Sequence, residues 1–210
     1  MKTVRNIKQK FRYVSECESL DSFERKTFYF REAGKQNTDT LLRIAREYVE
    51  KEGLTDVVVA STTGQTGAKA SEIFKGYNII VVTHCFGFHE PGKTEFQEEF
   101  KREILRTGGK IFTGTHALSS VERAIRKDFS TIQPLELIAN VARLLGEGTK
   151  VCIEITLMAA DAGLTPVDKD IIAVAGTGRG ADTALRIRPA NSSRFFDLRV
   201  REIIAKPYDF

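Results

Sequence analysis

Three short β-branched runs constrain this chain most: DVVVA at 56–60, NIIVVT at 78–83 and IIAVA at 171–175. Each is apolar at nearly every position, so both faces of the strand it forms must be covered. Amphipathic stretches separate the runs, and strands alternating with helices specify an α/β sandwich with a mainly parallel sheet. Shorter runs at 27–30 (TFYF) and 110–113 (KIFT) predict two further strands. The tail, at 185–188 and again at 196–204, alternates apolar and charged residues. That pattern predicts one or two antiparallel edge strands with a wet face.

Helices fill the intervals. Asn37 and Thr38 are good N-cap residues; Leu41, Ala45, Tyr48 and Val49 then share one face, and Gly53 closes the segment. A second helix is expected over about 67–74. Thr94 with Gln97 has capping-box spacing, Phe96 and Phe100 lie on one face, and Gly108 ends that helix. Ser119 with Glu122 repeats the box for 121–125. Pro134 suits a first helical position, and Gly146 stops the helix it opens. The stretch 151–162 fits two periods. Val151, Ile153, Ile155 and Leu157 alternate as in a strand; Val151, Ile155, Met158 and Ala162 fit a helix. Its length and Ala159-Ala160 favour the helix.

Composition bears on class. The chain of 210 residues is 41% apolar and 29% charged, which excludes a disordered chain and suits one sizeable core. No apolar run approaches the ~20 residues needed to span a bilayer, and the first residues lack the apolar core of a secretory signal. Lys2, Arg5, Lys8, Lys10 and Arg12 precede the first acid, Glu16; removing those five charges from the net +4 leaves −1. The basic balance therefore belongs to a leader, residues 1–20, ahead of a single α/β domain at 21–210. The leader carries no base-reading motif, so no nucleic-acid partner is expected. Cys17, Cys85 and Cys152 are odd in number and far apart, as in reduced thiols of a cytoplasmic protein.

In parallel sheets, ligands bind beyond the carboxyl ends of the strands, near the switch in strand order. The turn Ser61, Thr62, Thr63, Gly64, Gln65, Thr66, Gly67 occupies such a place and opens a helix. A helix cap needs one hydroxyl. This turn has several, with two glycines and the unpaired N–H groups of a first helical turn, so it is read as a phosphate loop. It is not a P-loop, because Lys69 falls two residues past Gly67. After the third buried run come Gly176, Thr177, Gly178, Arg179, Gly180, Ala181, Asp182 and Thr183. The glycine spacing is wrong for a dinucleotide loop, so a close backbone approach to a ligand is expected, with Asp182 accepting from its hydroxyl or ring N–H groups. The alternative is a plain glycine-rich turn.

His84, Cys85, His89 and His116 match no zinc spacing, and neighbouring His84 and Cys85 point to opposite faces. No metal is expected; the histidines either line the pocket or are structural. Asp161, at a helix C-terminus, needs a partner: a loop amide, Arg123, Arg179 or a ligand.

The ordered strings VVVASTTGQTG, VVTHCFGFHEPG, TGTHALSSVERAIR, EITLMAADAGL, AGTGRGADTALRIRPANS and REIIAKP resemble a known family. Its members are small, mostly archaeal, functionally uncharacterised proteins with a fold like the pyruvate kinase C-terminal domain. The resemblance runs from about Thr27 to Pro207 and leaves out the leader. It implies a three-layer α/β/α sandwich and bound flavin mononucleotide (FMN). In pyruvate kinase the corresponding domain can hold a phosphorylated sugar effector, and residues 61–66 match that loop. No catalytic residue carries over.

The expectation is thus a cytoplasmic FMN-binding protein, with flavin-dependent oxidoreduction on an unknown substrate as its widest form. Residues 61–67 would hold the phosphate; Thr83, His84, Gly87, His116 and the 176–183 loop would surround ribityl and ring. The rival is a non-catalytic module sensing a phosphorylated metabolite. A homo-oligomer component with an unused pocket is the third reading. No membrane partner is expected.

Overall fold

The computed structural model describes residues 22–210; the basic leader and Cys17 lie outside them. In chain order the elements are β1 (Phe28–Glu32), α1 (Thr38–Glu52), β2 (Asp56–Ala60), α2 (Gln65–Ile73), β3 (Asn78–Thr83), α3 (Glu98–Arg106), β4 (Lys110–Thr113), α4 (Ser120–Phe129), α5 (Pro134–Arg143), α6 (Glu147–Asp161), β5 (Ile171–Ala175), β6 (Thr183–Arg188) and β7 (Arg199–Asp209). Short 3-10 turns precede α1 and β7.

The seven strands form one sheet in the order β1-β7-β6-β5-β2-β3-β4. β2 pairs parallel with β3 and β5, and β3 with β4. The β-branched runs are the buried centre of this sheet, as their composition requires. Successive side chains alternate faces. Val57, Val59 and Ile79 pack under Leu41, Leu42, Ala45, Val49 and Phe74 from α1 and α2. Val58, Ile80 and Val82 pack under Ile155, Met158 and Ala159 of α6. α5 covers the outer side of α6 through Ala139 and Leu157. This explains the double periodicity of 151–162. Val151, Ile155 and Met158 meet the sheet while Ile153 and Leu157 meet the α5 layer, so a helix buried on both sides mimics alternation.

Three local readings are corrected. β6 runs antiparallel to β5 and β7, but neither β6 nor β7 is at the edge. β1 pairs parallel outside β7, with Phe28 opposite Ala205 and Phe30 opposite Pro207. Their charges are met by partners, not water alone. Arg186 lies opposite Glu202 in register, and its guanidinium bonds Asp170 Oδ2 at 2.7 Å and Glu52 Oε2 at 3.1 Å. Neither capping box forms. α3 starts at Glu98, and Thr94 Oγ1 accepts the Phe96 N–H instead. Glu122 Oε2 accepts the Leu135 N–H at 2.9 Å, tying α4 to the start of α5.

α6 approaches β6 closely at Gly148. A Cβ there would lie 2.1 Å from Thr183 Oγ1 and 2.5 Å from Thr183 Cβ. Gly148→Ala is therefore expected to destabilise the protein by about 1–3 kcal/mol, the usual cost of forcing an extra carbon into a packed interface. Chemical denaturation reads this, and an unchanged midpoint would contradict the packing.

Candidate functional site

Strand order reverses between β2 and β5: the chain steps outward from β2 to β3 and β4, then returns to place β5 on the other side of β2. The carboxyl ends of β2, β3 and β5 therefore open onto one hollow. It is a cavity of about 630 Å³, within the range of small-molecule sites. Its far wall comes from α4, α5 and most of α6, from Glu147 to Met158.

The turn after β2 lines it with Ser61, Thr62, Thr63, Gln65 and Thr66. Ser61 Oγ accepts the Gly67 N–H at 3.0 Å, so this hydroxyl shapes the turn. Ala68 N–H reaches Gly64 O. Among the described residues, no acceptor takes the N–H groups of Gln65 and Thr66, which lead α2. Gly64 and Gly67 do not line the cavity; they let backbone come close. Gly64 has φ +102° with the Phe100 Cβ 2.6 Å from where a side chain would start, and a Cβ on Gly67 would meet Val81 at 2.6 Å.

Thr83, His84 and His116 line the cavity beside this turn. The Thr83 hydroxyl lies 2.7 Å from Thr113 Oγ1 and also bonds His84 O, so it is internally satisfied. His84 Nδ1 is 2.9 Å from Glu95 Oε2. Burial pushes the His84 imidazole below its ordinary value, with Glu95 opposing only in part. Gly87 is outside the cavity wall; at φ +76° it turns the loop after β3, its N–H bonding Lys93 O.

Gly176, Gly178, Arg179 and Gly180, after β5, also line the cavity. Asp182 and Thr177 do not, and the expected role of Asp182 is corrected. Its side chain is 0% exposed. Oδ2 accepts the N–H groups of Gly34 (2.9 Å) and Thr177 (3.1 Å), and Oδ1 accepts from the Thr183 hydroxyl (2.8 Å). The carboxylate is consumed in pinning the glycine loop to the chain ahead of α1. Thr183 itself starts β6. Asp161 has a loop partner of the kind expected: Oδ1 accepts from Ser192 N–H and Asn191 Nδ2.

Several wall residues escaped sequence reading. Lys150 and Glu154 are 6% and 3% exposed and pair at 2.5 Å. Glu154 Oε1 accepts the Leu118 N–H, and His116 Nδ1 stands 3.6 Å from Oε2. Burial alone would raise the Glu154 carboxyl; His116 and the Lys150 charge outweigh it and hold it at about 2. The available signal was two charges four residues apart inside an otherwise apolar helix. His116 Nε2 accepts the Cys85 N–H at 3.4 Å, which puts its proton on Nδ1, facing Glu154. Phe88 stacks on His116 with ring centres 5.1 Å apart and lies 4.0 Å from His84.

The wall carries both signs of charge. Arg126 pairs with Glu136, Arg143 with Glu147, Lys150 with Glu154 and Arg179 with Glu95. Arg123 is different: its guanidinium lies 4.3 Å over the Phe88 ring, and among the described residues no acid pairs with it. A cation without a counter-charge, lining the same cavity as a donor-rich turn, suits an anionic ligand.

A family model described as pyruvate kinase, alpha/beta domain, matches residues 39–187, from α1 to β6. The chain belongs to this pyruvate kinase α/β-domain family. Two solved structures of a pyruvate kinase from Cryptosporidium parvum, one of them in complex with ADP, are similar at 16% identity and a TM-score of 0.36. Each match covers 70% of this chain and 22% of the other, so this chain spans about a fifth of those enzymes. Family membership agrees with the α/β fold and its antiparallel strands near the C-terminus. No described helix is long and apolar enough to cross a membrane.

Proposed function

We propose that the cavity binds a phosphorylated small molecule, with FMN as the ligand. Its phosphate sits on residues 61–67, and its ring lies toward Phe88, His84 and His116. One observation carries this reading. Gln65 and Thr66, whose N–H groups have no acceptor among the described residues, line one cavity of about 630 Å³ together with Thr62, Thr63 and the unpaired Arg123. Each charge-assisted hydrogen bond to a phosphate contributes about 1.5–3 kcal/mol, so three at the upper end of that range reach the roughly 8 kcal/mol of micromolar binding. Bound flavin supplies hydride and electron transfer, while the protein's part is to orient it and tune its surroundings. Cys85 and Cys152 as free thiols agree with a reducing, cytoplasmic setting.

A second reading is a module that senses a phosphorylated metabolite without chemistry. It is favoured by the state of the best buried acid: Glu154 is already bonded to Lys150 and Leu118 and is no free base.

Thermal shift separates the two. FMN at a hundred times its Kd is expected to stabilise the protein by about 2.7 kcal/mol. Arg123→Ala and Thr63→Ala should each weaken binding by roughly 10-fold or more, the equivalent of one charged hydrogen bond. Stabilisation by sugar phosphates but not by FMN would favour the sensor. A protein indifferent to both would end the phosphate reading.

A further inference from the structure

The loop between β3 and α3 folds back on itself. Gly87 N–H bonds Lys93 O, Lys93 N–H bonds Glu90 O, and Gly87 and Gly92 take φ of +76° and +71°. The fold-back carries His89 and Glu95 to the end of β3, where His84 stands. His84 Nδ1 is 2.9 Å and His89 Nε2 is 3.4 Å from the same carboxylate oxygen, Glu95 Oε2, and all three donor atoms lie within 4.8 Å of one another.

We propose that His84, His89 and Glu95 form a binding site for a divalent transition metal of the zinc class, at the rim of the cavity. Two imidazoles and one carboxylate are the donor set of open zinc sites, where three protein ligands leave the fourth position to water or a ligand oxygen. Bonds of about 2.0–2.1 Å in a tetrahedron separate neighbouring donors by roughly 3.3 Å, so small rotations of these side chains bring the three atoms around one ion. Arg179 holds the other carboxylate oxygen, Glu95 Oε1, at 3.3 Å and orients it, as outer-shell partners do at metal sites. His84 also lines the cavity, so the fourth position is within reach of a bound molecule. The spacing His-x4-His-x5-Glu is no standard zinc pattern, because the third donor is delivered by the loop's reversal and not by a helix or knuckle.

The site is independent of the phosphate reading and is tested with the metal alone. Metal-stripped protein is titrated with Co²⁺ as a spectroscopic stand-in for Zn²⁺, and with Zn²⁺ by calorimetry. The expected result is one equivalent bound, a four-coordinate cobalt absorption, and a loss of affinity of 10-fold or more in both His89→Ala and Glu95→Gln. His89 is mostly exposed and Glu95→Gln is isosteric, so circular dichroism should show both variants folded. No saturable binding, six-coordinate cobalt only, or affinity unchanged in either variant would overturn the proposal and leave a hydrogen-bonded His–Glu cluster. FMN binding by the metal-stripped protein is scored separately, so failure of one reading is not failure of the other.

Discussion

Glu154→Gln is expected to cost about 3–5 kcal/mol of stability, the penalty for stranding one member of a buried ion pair. Lys150 is 6% exposed, and its ammonium has Glu154 Oε2 at 2.5 Å. Glutamine keeps the shape but not the charge. The double variant Lys150→Met/Glu154→Leu should recover part of the loss, because well-packed apolar pairs of similar volume replace buried ion pairs at little net cost. The Leu118 N–H and the His116 Nδ1–H then lose their acceptor, for about 1–3 kcal/mol each, which keeps the recovery incomplete. Glu154, held by His116 and Lys150, also sets an acid limit. The Glu154 carboxyl is lowered from 4.5 to about 2, so its stabilisation is complete above pH 4.5 and fades as pH falls towards 2. The full effect is roughly 3 kcal/mol. Urea midpoints between pH 6 and 2 should fall more steeply for the wild type than for the double variant. Equal slopes, or a single variant losing under about 1 kcal/mol, would show that the pair is not the charge-critical element of the wall.

Asp182→Ala should be nearly as costly, at about 3 kcal/mol or more. The substitution strands the Gly34 and Thr177 N–H groups and the Thr183 hydroxyl, and each buried group left unsatisfied costs about 1–3 kcal/mol. The loss is local as well as global: residues 176–181 are released from the chain ahead of α1. Amide exchange at Gly34 and Thr177 should accelerate well before global unfolding. Were stability untouched and ligand affinity abolished instead, the carboxylate would be a ligand contact and not a structural pin.

Much of the fold is legible in local chemistry. β2, β3 and β5 follow from β-branched runs that cannot leave either face in water. α1 and α5 follow from their apolar spacing and their Gly53 and Pro134 boundaries. The position of the cavity follows too, since a hydroxyl-rich turn after a buried parallel strand can only open at the carboxyl edge of the sheet. Thr62, Thr63, Gln65 and Thr66 are found there. The boxes at Thr94 and Ser119 misled because spacing names a candidate bond without excluding a competitor; Leu135 offers Glu122 a better-placed N–H than its own helix start does.

What a sequence by itself determines here is period, strand burial and the kind of turn between elements, all set by interactions within a few residues. Tertiary structure alone decides who meets whom across long separations. It places β1 outside β7, 177 positions apart at Phe28 and Ala205. It turns Asp182 inward to Gly34, and it gathers Lys150, Glu154 and His116 on one wall. Those partners depend on the order in which strands join the sheet. Polar side chains that look alike in the chain are sorted into ligand-facing and internally bonded groups only once that order exists.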